Sequence, residues 1–160
     1  MAMRQAALTL LLLLIAWPAN AQPVATLDAK SAQAIVAGCV ARAVPKMQSH
    51  AVAVVDNGGH LIAALRMDGN GSGMMDFALQ KAQAAAAWGF STAQMVDAAK
   101  GTPGFADAPH VVTVGGGVPI FSTDGKTRLG AAGASGEAPE DDAACVIAGI
   151  AAAGLRSTRP

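Results

Sequence analysis

The chain has 160 residues, of which 52% are hydrophobic and 14% charged, and its formal net charge at pH 7 is zero. This length suits a single domain that can bury a core. The sequence contains no basic patch, so we expect neither nucleic acid nor an anionic membrane surface as a partner.

The first 21 residues have the layout of a cleavable signal peptide. Arg4 provides a positive start, residues 8–16 are an apolar run, and residues 19–21 (Ala-Asn-Ala) form the small-x-small cleavage site. The apolar run is shorter than the roughly 20 residues that span a bilayer. We therefore expect export to the periplasm or outside the cell, no membrane span, and a single mature domain of residues 22–160.

The mature sequence begins with a predicted helix and hairpin. Apolar residues recur at spacings of three and four over residues 27–44, and Thr26 could cap the helix that this predicts. A β-rich run at residues 51–55 precedes Asp56-Asn57-Gly58-Gly59, and Asn-Gly is a strong hairpin signal. We expect residues 60–67 to be the returning strand.

Two further helices are predicted in the middle of the chain. The first runs from about Met75 to Trp88 and is closed by Gly89. Ser91 and Gln94 have the spacing of a capping box for a second helix that ends at Lys100.

The C-terminal third is predicted to hold three short strands and a last helix. The strands are at residues 111–114, 118–121 and 128–134, and the helix, with Pro139 in its first turn, covers residues 137–154. Hairpins that bracket helices indicate an α+β fold, an antiparallel sheet with helices on its faces.

The glycine-rich segments and Ser135 do not match known catalytic motifs. Neither Gly69-x-Gly71 nor Gly115-x-Gly117 has the third glycine of a dinucleotide-binding loop. Ser135 has Glu137 where a nucleophile elbow requires glycine. We therefore predict no catalytic residue and leave open whether the protein is an enzyme.

The histidines and Lys81 allow several interpretations. His50, His60 and His110 share no helix face, so their spacing predicts no zinc site, and we expect surface positions for them. Lys81 lies on an alanine-rich helix, where it could be solvated, bind a carboxylate ligand or contact a partner subunit.

Several segments together resemble the GlcG/HbpS-like haem-binding family, which also occurs as the C-terminal domain of some corrinoid adenosyltransferases. They follow the family order and span nearly the whole mature chain. One departure is Ala84, where the family usually has threonine. The matching segments are residues 54–61, 66–69, 81–82, 115–120 and 130–136, with Asp141, Cys145 and Gly149.

The resemblance implies a profilin-like fold, a homo-oligomer that is often an octamer, and haem or iron binding in some members. We choose His60 as the iron ligand, since histidine is the commonest axial donor and His60 lies in the family-like segment. Arg66, Met67 and Lys81 are the further candidates for cofactor binding.

The same resemblance places the helices that carry Cys39 and Cys145 on one face of the sheet. An exported protein with two cysteines is expected to form a disulfide, and the alternative is two buried free thiols.

Two other functions stay open. One is a binding protein or enzyme for a small organic acid, with Arg66, Asp68, Lys81 and the Gly115 loop as candidates. The other is an oligomeric accessory protein that binds a partner protein and no cofactor.

Overall fold

The computed structural model describes residues 25–160. The predicted signal peptide, residues 1–21, lies outside this part of the chain. Within residues 25–160, none of the helices combines the length and the hydrophobicity needed to cross a membrane.

Residues 25–160 form four helices and four strands, with short 3₁₀ turns at Val44–Lys46 and Phe105–Asp107. In chain order they are α1 (Ala29–Ala43), β1 (Ala51–Asp56), β2 (Leu61–Arg66), α2 (Ser72–Trp88), α3 (Thr92–Gly101), β3 (Gly117–Phe121), β4 (Arg128–Ser135) and α4 (Pro139–Ala152).

The strands form one antiparallel sheet in the order β2-β1-β4-β3. Val52 and Val54 of β1 face α1 and α4, whereas Ala51, Ala53 and Val55 face α2. The expected α+β fold, an antiparallel sheet with helices on both faces, is confirmed.

Small residues allow α2 to pack unusually close to the sheet. A Cβ atom on Gly133 of β4 would collide with the backbone oxygen of Ala78, and it would also lie 2.6 Å from the backbone nitrogen of Ala82. Small residues are therefore required here, because the backbones of α2 and β4 are too close for larger side chains.

Several local predictions are confirmed. β1 and β2 form the hairpin, Gly89 ends α2 in the left-handed region, and Ser91 and Gln94 form a capping box on α3. Each of these signals acts within about four residues.

Two local predictions are wrong. Asp28, and not Thr26, caps α1, because its side chain accepts a hydrogen bond from the backbone N–H of Ser31 at 2.7 Å. Residues 111–114 form no strand. The outer edge of β3 is already occupied, because Gly117 bonds to Thr92 and Phe121 bonds to Arg156, so another strand cannot pair there.

Cys39 of α1 and Cys145 of α4 are joined by a disulfide, with their Cα atoms 4.5 Å apart. Both residues are fully buried in the core on the α1–α4 face of the sheet. The bond closes a loop with a sequence separation of 106 residues, so it restricts the unfolded chain strongly.

We expect the double substitution Cys39→Ala, Cys145→Ala to lower the free energy of unfolding by about 4 kcal/mol, because loop-closure entropy is returned to the unfolded chain. Urea unfolding under non-reducing conditions measures the difference. Unchanged stability, or two titratable thiols in the unfolded wild-type protein, would contradict this assignment.

Candidate functional site

His60 lies at the tip of the β1–β2 hairpin, next to the carboxylate that shapes the turn. Asp56 Oδ1 accepts hydrogen bonds from the backbone N–H groups of Gly58 at 2.8 Å and His60 at 2.9 Å. The His60 ring Nδ1 lies 3.1 Å from Asp56 Oδ2, and its side chain is 82% exposed.

The charge state of Asp56 determines which ring nitrogen of His60 is free. The hydrogen bond from the His60 backbone N–H, followed by those from its ring and from Gly58, lowers the pKa of Asp56 below 3.8. An ionised carboxylate can only accept, so Nδ1 of His60 is the donor in this contact, and in the neutral form of the ring the lone pair lies on Nε2. A carboxylate behind Nδ1 is the usual arrangement for a metal-binding histidine.

His110 lies on the other side of the same turn. Its backbone has φ 60°, which is uncommon for a residue other than glycine. It lines a polar cavity of about 170 Å³ together with Gln83 and the turn residues Asn57, Gly58 and Gly59. Within residues 25–160, no group of three or more His, Cys, Asp or Glu side chains could hold a metal ion.

A buried ionic cluster occupies the opposite end of the sheet. The Lys81 ammonium lies 3.0 Å from Asp142 Oδ2 and donates to the carbonyl oxygen of Ala134 at 3.0 Å. Asp142 Oδ1 lies 2.9 Å from Nδ1 of His50 and accepts the backbone N–H of Glu137 at 3.2 Å.

The cluster corrects one expectation and answers an open question. His50 is buried, whereas a surface position was expected, and Lys81, for which solvent, a carboxylate ligand and a partner subunit were all left open, is buried against the Asp142 carboxylate. Lys81 can be buried because Asp142 of α4 neutralises it. His50 Nε2 has no hydrogen-bond partner in residues 25–160.

The predicted cofactor residues do not come together within residues 25–160 of the chain. Arg66 ends β2 and donates to the carbonyl of Asn70, and the Met67 sulfur accepts the backbone N–H of His50. They are separated from His60 by the length of β2, about 20 Å at 3.3 Å per residue. Lys81 belongs to the buried cluster, and only His60 is placed at the hairpin tip.

The Gly115 loop borders a wide cleft between α3 and α4, with a volume of about 540 Å³. Asp97 and Glu140 line it, and none of its lining residues is basic. Two carboxylates would repel an organic acid, so the cleft does not suit that ligand.

Sequence reasoning missed the roles of His50 and Asp142. Asp142 lies three, four and seven residues before Cys145, Val146 and Gly149, all buried. That helical spacing places it on the inner face, and this signal could have found it.

The model of a family described as haem degrading protein HbpS-like matches residues 27–151. The chain belongs to the HbpS-like family. The resemblance stated from the sequence is thereby confirmed. The search of curated proteins found no match.

Solved structures show the same HbpS-like fold. A double mutant of HbpS from Streptomyces reticuli is 25% identical, with a TM-score of 0.76 and coverage of 92% of this chain and 97% of that chain. A PduOC:haem complex is 24% identical, with a TM-score of 0.75 and coverage of 84% and 99%. The protein ORFY of Klebsiella pneumoniae is also 24% identical, with a TM-score of 0.76 and coverage of 86% and 97%.

We expect Asp142→Ala to lower the free energy of unfolding by about 3–5 kcal/mol, because the buried Lys81 ammonium loses its counter-charge. Denaturant unfolding measures this. Asp97→Ala is the matched control, since it breaks the exposed Lys100–Asp97 pair and should change stability little. Equal effects of the two substitutions would show that the buried cluster has no special weight.

Proposed function

We propose that this chain is an exported haem-binding protein that acts as a homo-oligomer, and that His60 would hold the haem iron. The observation that carries the proposal is the hairpin tip, where Asp56 orients His60 and leaves Nε2 exposed. Two comparisons support the choice of haem as the cofactor. The chain belongs to a family described by its action on haem, and a protein with this fold has been solved as a haem complex.

Three residues at the hairpin tip would take part in holding haem. Haem iron takes a histidine nitrogen as an axial ligand when it is bound. His60 would hold the iron, Asp56 would hold the ring of His60 in orientation, and Leu61, which is 54% exposed, would offer apolar contact.

The exposure of His60 supports an oligomer. A haem held at this tip by one protomer would keep most of its apolar surface in water, which is unfavourable. A second protomer placed over the tip would remove that surface from water. The size of the oligomer is part of the same proposal, and the octamer is the size that the family resemblance implies for many members.

The organic-acid alternative has less support than haem. Of its two basic candidates, Lys81 is already paired with Asp142, and the Gly115 cleft is lined by carboxylates. An accessory protein without a cofactor is the outcome if haem does not bind.

Haem titration followed at the Soret band tests the ligand. We expect His60→Ala to lose the saturable change, and Asp56→Asn to weaken haem affinity by about 10–100-fold because the ring loses its orienting carboxylate. His110→Ala is the matched control, since it removes another exposed imidazole beside the same turn. A titration of His60→Ala that equals the wild type would refute this ligand.

The export part of the proposal rests on the sequence layout of residues 1–21, and the disulfide agrees with an oxidising compartment. We expect the mature protein to begin at Gln22, because signal peptidase cleaves after the Ala-Asn-Ala site. N-terminal sequencing of protein purified from the periplasm or medium measures this. Soluble protein that retains Met1 would contradict export.

A further inference from the structure

The two outer edges of the sheet differ. On β3, the N–H of Gly117 donates to Thr92 Oγ1 at 2.9 Å, Pro119 has no N–H, and Phe121 exchanges two backbone hydrogen bonds with Arg156. The outward donors of this edge are therefore used or missing, which prevents another strand from pairing here.

The β2 edge is open. The backbone N–H of Met67 bonds to His50, so the alternate residues Leu65 and Ala63 also face β1, and the N–H and C=O groups of Ala64 and Arg66 point outward. These outward groups have no hydrogen-bond partner among residues 25–160. Ala64, Leu65 and Arg66 are all exposed.

An apolar groove of about 430 Å³ runs beside this open edge, between β2 and α1. Val36, Val40 and Leu65 form its walls, and Leu65 is 41% exposed. The α1 segment 33–41 carries no charged residue. Two identical surfaces can face each other here without repulsion between like charges.

We propose that a second copy of this chain docks on this edge, with the two β2 strands antiparallel about a two-fold axis at Leu65. An extended strand satisfies the outward backbone groups, and the facing α1 helices cover the groove. Because β3 is closed, β2 can pair only with another β2, so the contact is isologous and ends at two copies. This interface would be one contact of the homo-oligomer in the proposed function, and it does not depend on haem.

The register follows from the charges and the shape of the strand. When the two-fold axis passes at Leu65, each Arg66 lies opposite Ala64 of the other copy, and the two Leu65 side chains are in contact. A centre at Arg66 would place two guanidinium groups opposite each other. A centre at Ala64 would bring Arg66 against the irregularity in β2, where Ile62 has no partner in the ladder.

Cross-linking of the haem-free protein tests this register. In the proposed contact the two Leu65 residues form a non-hydrogen-bonded pair with Cα atoms about 4.5 Å apart, within disulfide range. Under mild oxidation, Leu65→Cys should therefore shift to twice the monomer mass on a non-reducing gel. Lys126→Cys, in the exposed β3–β4 turn, should stay monomeric.

Ala64→Pro provides an independent test, because it removes an outward N–H while the substituted position stays exposed. We expect light scattering to show at least a halving of the native mass, and Ala64→Ser to keep the wild-type mass. If the wild-type protein is an oligomer but Leu65→Cys does not cross-link, or Ala64→Pro keeps the wild-type mass, this interface is refuted and the oligomer is not. A monomeric wild type overturns the oligomer as well, whereas absent haem binding overturns neither.

Discussion

The Asp142 carboxylate joins three layers of the structure at one end of the sheet. It neutralises Lys81 from α2, lies within hydrogen-bond distance of His50 just before β1, and accepts the backbone N–H of Glu137 at the start of α4. The path between Lys81 and Asp142 passes Gly116, where a Cβ would lie 2.9 Å from the ammonium nitrogen. The tight packing at Gly116 and the position of α4 therefore depend on this one buried charge.

The sheet has the buried Lys81–Asp142 cluster at one end, the ionic end, and His60 of the β1–β2 turn at the other, the hairpin end. The two ends differ in the ligands that they can bind. At the ionic end, Lys81 and Asp142 are buried and paired, so these groups are structural. At the hairpin end, His60 is oriented by Asp56 and keeps a free nitrogen at the surface. A ligand that needs an imidazole nitrogen can reach His60 without breaking the core, and for this reason we propose that the cofactor binds at the hairpin end.

Local signals predicted most of the fold; the burial of Lys81 and His50 depends on long-range contacts with Asp142, whereas the misplaced cap of α1 is a local error. The hairpin, the capping box at Ser91 and the end of α2 at Gly89 depend on nearby residues and were predicted correctly. The burial of Lys81 depends on Asp142, 61 residues away, and composition alone favours a solvated lysine. The family resemblance identified the haem connection and singled out His60, but the carboxylate behind its ring became visible only in the folded hairpin.

Titration of the purified, haem-free wild-type protein with haemin, followed by absorbance and by native mass, tests whether the folded protein binds haem. We expect a saturable Soret shift and a native mass equal to an oligomer with bound haem. A linear absorbance change with no haem retained on the protein would refute haem binding.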